Sequence, residues 1–423
     1  MAPAASGSER GAGGGMMSNR NKGANKLPIY LDNQSSTRLD PRVLEAMLPY
    51  FTEEFGNPHS TSHEYGRVAA EAVEQARSEV AALIGADPRE IVFTSGATEA
   101  NNLAIKGAAR FAKVHGRNPA RNRIVTLATE HKCVLESCAQ LEREGFQVSY
   151  LPVEPDGLVD LDRFAAALDD DTLLASVMTA HNEIGVIQPL AEIGALCRKK
   201  GVLLHSDAAQ AAGKIALDVE AMHLDLMSLS GHKVYGPKGV GALYVRRRPR
   251  VRLLPLFDGG GQERGLRSGT LPTPLCVGLG RAAAIAGVEM DEEAARLRRL
   301  RDRLYDGLRH RVAGLGLNGN AEQRLAGNLN LSFPGITAPA LIEACPTIAI
   351  STGSACTSAT VEPSYVLRAL GLSDAVANSA IRIGLGRFNT AAEVDFAIDA
   401  LAAAAARLAG DREMRQDGAR LSA

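Results

Sequence analysis

The chain has 423 residues, 45% hydrophobic and 22% charged, with 47 basic against 48 acidic side chains and a formal net charge of −1. That length suffices for one large core and a smaller one. Near-neutrality gives no ground for general nucleic-acid or membrane-surface binding, and no apolar run approaches the length of a bilayer-spanning helix. Six cysteines (Cys133, Cys138, Cys197, Cys276, Cys345 and Cys356) are scattered without a Cys-x-x-Cys pair. They read as free thiols in a reducing compartment, hence a cytoplasmic protein.

Residues 1–26 are mostly Gly, Ala, Ser and Asn. They lack the apolar centre of a secretory signal and the amphipathic leucines of a transit peptide, and the composition predicts disorder. Order is expected from Leu27, with a short strand ending at Asp32. The polar stretch Asn33 to Thr37 follows, then Asp40-Pro41, an N-cap acid with proline at the first helical position. Residues 55–66 form an irregular loop that reads equally as plain surface or as a substrate entrance. A helix over 67–84, with Val68, Ala72, Ala76, Val80 and Leu83 on one stripe, is stopped by Gly85.

From Glu90 short apolar strands alternate with helices. Strands are expected at 91–93, 124–127, 148–153, 173–178, 202–205, 226–229 and 240–245, with helices around 133–144, 161–168 and 190–199. This is an α/β pattern, and unalternating apolar strands imply a mostly parallel sheet covered on both faces. Ligands in such sheets lie beyond the carboxyl ends of strands, where this chain places Ser95-Gly96-Ala97-Thr98, Thr129-Glu130-His131, His181-Asn182-Glu183, Asp207 with Gln210, and Ser230-Gly231-His232-Lys233.

Lys233 is the focus. Taken alone, Ser-Gly-His-Lys reads as a solvated surface turn; between buried strands, however, a lysine loses hydration, its pKa falls, and its amine can condense with a carbonyl, such as the aldehyde of pyridoxal phosphate. Asp207 would pair with a pyridinium nitrogen or merely cap a strand end. His131 offers an aromatic face for a ring. Residues 95–98, opening a helix, offer backbone N–H groups to a phosphate or a simple cap through Thr98.

The remainder reads as a smaller α+β unit: a helix over 291–312 with Leu297, Leu300, Leu304 and Leu308 on one face, a strand at 328–333 and a helix near 339–344. Residues 351–360 are small and polar around Cys356. A structural cysteine would have apolar neighbours, so this thiol reads equally as a plain loop cysteine or as a functional one, on a loop able to carry it between substrate and acceptor. A strand over 379–386 points Arg382 inward, where it needs an anion such as a carboxylate. Thr390 to Glu393 is a capping box. The basic run 246–252 is either a solvated turn or a dock for tRNA or an acidic partner. Cys133, Cys138, Cys197, Cys276 and Cys345 read as packing residues.

The segments FTSGATEANNLAIKG, ATEHKCVLE, HNEIGV, HSDAAQAAGK, DLMSLSGHKVYGPKGVGALYVRR, GGGQERGLRSGT and STGSACTSATVEPSYVLRALG follow one another over about 27–408. Together they resemble the cysteine desulfurases of the IscS/NifS type, in the class V aminotransferase group. The resemblance implies a fold-type I pyridoxal-phosphate enzyme with a seven-stranded sheet. It divides the chain into a large domain over 41–290, a small domain made of 27–40 with 291–409, and a tail over 410–423. It implies Lys233 as the Schiff-base lysine, Asp207 and Gln210 on the ring, His131 stacked on it, and Ala97, Thr98, Ser230 and His232 at the phosphate. Thr270 would reach the phosphate across a homodimer interface. Asn182 and Arg382 would hold the carboxylate of L-cysteine, and Cys356 would take the sulfur as a persulfide. No resident metal is implied, although Cys356 could transiently ligate an iron–sulfur cluster. The sulfur would pass to an IscU-, SufU-, NifU- or SufE-like protein, for iron–sulfur cluster assembly or tRNA or cofactor thiolation. A selenocysteine lyase is the alternative. The segment 33–37 and the polar tail after Leu408 depart from the family's pattern.

Overall fold

The computed structural model describes residues 28–116, 120–352 and 363–421. Its twelve strands are β1 (Ile29–Tyr30), β2 (Ile91–Thr94), β3 (Arg123–Leu127), β4 (Gln147–Leu151), β5 (Thr172–Ser176), β6 (Leu203–Asp207), β7 (Leu226–Ser230), β8 (Gly241–Val245), β9 (Gly316–Leu317), β10 (Asn328–Ser332), β11 (Ile348–Ala349) and β12 (Ala380–Gly384). The helices are α1 (Pro41–Met47), α2 (Pro49–Thr52), α3 (Glu64–Leu83), α4 (Ala97–His115), α5 (Lys132–Arg143), α6 (Leu161–Ala167), α7 (Leu190–Lys200), α8 (Thr273–Arg309), α9 (Ala338–Ala344), α10 (Tyr365–Ala369), α11 (Asp374–Ala377) and α12 (Ala391–Leu421).

Seven strands form one sheet in the order β2-β8-β7-β6-β5-β3-β4. All pairings are parallel except those of β8, which runs against both β2 and β7. Alternate residues separate to opposite faces, as a pleated strand requires. Val92, Ile124, Leu174, Leu226 and Leu243 join one core, beside Leu103 and Ala104 of α4 and Val134 and Leu141 of α5. Ile91, Phe93, Val125, Ala175, Met227 and Tyr244 join the other, with residues of α3, α7 and α8. Cover on both faces is why the strands read as continuous apolar runs.

A second body of structure centres on the antiparallel sheet β12-β10-β9 and the parallel pair β1-β11. Its core includes Leu31, Leu304, Leu329, Phe333, Leu341, Ile381, Ile383, Val394 and Leu401. The two expected caps form. Asp40 Oδ1 accepts from the Arg42 backbone N–H at 3.0 Å, and Thr390 and Glu393 cap each other reciprocally at 2.9 and 3.2 Å.

Helix α8 differs from expectation. It begins at Thr273, so the boundary expected between 290 and 291 falls inside one unbroken helix. The stretch CVGLGRAAAIAGV looks weakly helical because glycine is a poor helix former. Packing reverses the preference: a Cβ on Gly280 would lie 2.5 Å from Ala76 Cα on α3, so glycine is what lets the two helices close.

Candidate active site

The carboxyl ends of the parallel strands converge on a cavity of about 550 Å³. At the end of β6, Asp207 is only 6% exposed. Its Oδ1 accepts from the Ala209 N–H at 2.9 Å and its Oδ2 from Asn101 Nδ2 at 2.7 Å. After β3, His131 caps α5: its Nδ1 accepts from the Cys133 backbone N–H at 3.2 Å. A ring nitrogen that accepts carries a lone pair, so a neutral His131 holds its proton on Nε2.

After β7 the chain turns through Gly231–Lys233. Lys233 Nζ donates to the backbone carbonyls of Gln34 at 2.7 Å and Ser35 at 2.6 Å. Its neighbour His232 meets Ser36 Oγ at 3.1 Å. Burial, then the charges of Lys233, Lys238 and Lys214, push the His232 imidazole down to about 4, so it is neutral near pH 7. After β2, Gly96 is the N-cap of α4 and supplies no side-chain cap. The first residues of this 19-residue helix, Ala97 and Thr98, line the cavity, so its uncapped amino end lies at the cavity wall. Ser230 completes that corner.

The opposite wall comes from the smaller sheet. Arg382, in the middle of β12, is 3% exposed. Its Nη2 pairs with Asp32 Oδ1 at 2.7 Å and its Nη1 donates to the Asn182 carbonyl at 3.0 Å. Its buried Nε has no partner among the described residues, and each Nη keeps a second N–H beyond these bonds for a further anion.

The cavity thus gathers Ala97, Thr98, His131, Asn182, Asp207, Gln210, Ser230, His232, Lys233 and Arg382. Thr270 is exposed and does not line it. Cys356 lies outside the described residues. Their nearest flanks are informative: Ser351 bridges Arg382, and Tyr365 Oη donates to the Glu130 carbonyl at 2.6 Å.

Four contributors were not legible as such. Cys133, expected to be packing, lines the cavity with Sγ 3.0 Å from His131 Nδ1. Asn101, fully buried on α4, steadies Asp207. Asp32 holds Arg382, and the Gln34–Ser36 backbone receives Lys233. The last two had a signal: a polar run directly after the first ordered strand, in a chain whose other polar runs at strand ends mark the site.

The donor set fits pyridoxal phosphate. Uncapped helix amides and Ser230 suit a phosphate dianion, a held carboxylate suits a protonated ring nitrogen, and an amine stands in the same cavity. Fold and site define a pyridoxal-phosphate enzyme of the α/β class, and comparison with known proteins agrees. The family model for aminotransferase class V matches residues 29–396, and the chain belongs to that family. It is 57% identical over 373 residues to the cysteine desulfurase IscS of Rickettsia rickettsii (strain Iowa), covering 88% of this chain and 90% of that one. Among solved structures, a NifS-like protein superposes with a TM-score of 0.82 at 39% identity, covering 89% of this chain and 98% of the other. SspA in complex with cysteine superposes at 0.74 and 38%, covering 86% and 100%. The chain is a cysteine desulfurase dependent on pyridoxal phosphate.

Proposed function

We propose that this cavity takes sulfur from L-cysteine, leaves L-alanine, and places the sulfur on Cys356 as a persulfide. The supporting observation is the convergence of Lys233, Asp207, His131 and the uncapped α4 terminus with Arg382 around one cavity. Lys233 is the residue that links to the cofactor. Asp207 would hold the ring nitrogen, Gln210 the ring oxygen, His131 the ring face, and Ala97, Thr98, Ser230 and His232 the phosphate. When bound, pyridoxal phosphate supplies an electron sink next to the substrate carbon.

Arg382 and Asn182 receive the substrate carboxylate and fix its orientation. Lys233 would hold and move protons at Nζ beside the substrate carbon. His131 presents Nε2–H as a proton donor, because Nδ1 is occupied by the α5 cap. The Cys356 thiolate forms a bond to the substrate sulfur, the carbon–sulfur bond breaks, and Lys233 delivers the proton that completes alanine. Ser351, bridged to Arg382, and Tyr365, which donates to the Glu130 carbonyl next to His131, support that reading.

The active form is a homodimer in which Thr270 reaches the partner's phosphate, consistent with its exposure here. The persulfide goes to an IscU-, SufU-, NifU- or SufE-like acceptor for iron–sulfur cluster assembly or thiolation. No helix among the described residues is long and apolar enough to cross a membrane, in keeping with work in the cytoplasm. The test is alanine and sulfide release from L-cysteine by the purified protein, with its visible spectrum. Cys356→Ser should keep the cofactor band and lose persulfide; full sulfide release by that variant would place the nucleophile elsewhere. Faster turnover of selenocysteine, independent of Cys356, would indicate a selenocysteine lyase.

A further inference from the structure

A second lysine stands behind the cavity. The turn after β6 contains Gly213 at φ +68, where a Cβ would lie 2.4 Å from Val234 Cγ2. Only glycine avoids both penalties there, and the turn it permits leads into partly buried Lys214. Lys214 Nζ donates to Gln210 Oε1 at 3.0 Å. Gln210 Nε2 donates to the Gln34 carbonyl at 2.8 Å, the same oxygen that accepts from Lys233 at 2.7 Å. One chain of hydrogen bonds therefore joins the two lysines.

In its ammonium form Lys214 can only donate, so the Gln210 atom facing it is then the carbonyl oxygen. The amide nitrogen is then forced to the cavity side. Its two N–H groups serve the Gln34 carbonyl and whatever acceptor occupies the cavity. Without Lys214 the amide can rotate by half a turn and present an oxygen instead, which would repel an anionic acceptor. We propose that Lys214 is a positioning residue for the cofactor: it locks the Gln210 amide as a donor toward the ring oxygen and adds a positive charge behind Lys233. This rests on the reading of the cavity given above.

The surroundings fit that role. Burial, then the charge of Lys233, pulls the Lys214 ammonium down to about 7; Glu293 opposes this and Arg382 adds to it. Lys233 faces it from the turn after β7, Arg382 from β12 and Glu293 from α8. The Glu293 carboxylate is already engaged by Tyr235 Oη at 2.8 Å and Arg387 Nε at 2.7 Å.

The test compares the unsubstituted holoenzyme with Lys214→Met, Gln210→Leu and the double variant. Two readouts other than turnover are used: the cofactor release rate, and the pH midpoint at which the visible band titrates. Removing a nearby cation and a donor to an anionic oxygen both favour the protonated form of the bound group. Lys214→Met should therefore raise the midpoint by about one pH unit and speed release about tenfold. In the Gln210→Leu background its effect on release should fall to within about twofold, because the amide it locks is gone. An unchanged midpoint and release rate in Lys214→Met overturns the proposal, as does an effect on release undiminished by Gln210→Leu. If Lys214→Met fails to fold, Lys214→Gln, which removes the charge alone, should still raise the midpoint; no shift again overturns the proposal. Failure of the unsubstituted protein to take up any cofactor would instead refute the reading of the cavity itself.

Discussion

The two sheets feed the same cavity in different ways. The seven-stranded sheet places its functional groups just past strand ends, on short turns fixed by local backbone: His131 caps α5, Lys233 sits in a single helical turn, and Asp207 accepts from an amide two residues on. The three-stranded sheet contributes Arg382 from mid-strand, buried, and held by Asp32, 350 residues away in sequence. In the first arrangement short-range geometry sets the backbone of each turn, while the side chains of Lys233 and Asp207 also take distant partners, Gln34, Ser35 and Asn101. The second exists only if the N-terminal segment and the last strand meet, so it ties this wall of the cavity to the integrity of the whole chain.

Substitutions can break this contrast. The largest effect is expected for Lys233→Ala, which should abolish the visible band of the bound cofactor and lower alanine release at least about 1000-fold, with thermal stability of the cofactor-free protein nearly unchanged. An unchanged spectrum would refute the assignment. Asp32→Ala should behave in the opposite way. It leaves the buried Arg382 guanidinium without its carboxylate, a loss of about 3 kcal/mol in denaturant unfolding, while the band at saturating cofactor persists. A smaller effect is expected for Arg382→Lys, which keeps the charge but loses the planar fork; KM for L-cysteine should rise about tenfold with kcat less affected.

The readable part of the site follows from the same contrast. Polar residues past strand ends announce themselves because a run of apolar residues stops there, so Asp207, His131 and Lys233 could be located at strand ends from the sequence, while their roles came with the family resemblance. Arg382 was legible as an inward-facing arginine, but not Asp32 as its partner, since no local pattern encodes a contact 350 residues apart. Asn101 and Cys133 escaped because a single polar or thiol group on an apolar helix is indistinguishable from packing until the helix has a neighbour. For α8, small residues that look like a weak helix are the ones that let α3 approach.

A pH experiment sharpens the comparison at its smallest scale. His205, fully buried within β6, is wedged between Ser176 Oγ at 2.8 Å and Ser228 Oγ at 3.0 Å. Burial pushes its pKa down to about 3 from 6.5. The unfolded chain therefore binds a proton that the folded one refuses. This contribution to stability is complete above about pH 6.5 and is lost progressively as pH falls toward 3. His205→Gln should flatten that part of the urea-unfolding profile; an unaltered acid limb would show that other groups dominate it.

Helix α8 has a wider consequence. At 1.5 Å per residue its 37 residues extend for about 55 Å, with Leu279 and Ala283 in one core and Leu304 and Leu308 in the other. A continuous helix transmits rotation as well as length. One extra residue near position 290 would swing everything beyond it by about 100°, turning Leu304 and Leu308 out of their core and drawing β10 and β12 with them. The phase of a single helix thus acts as the key that keeps Arg382 in the same cavity as Lys233.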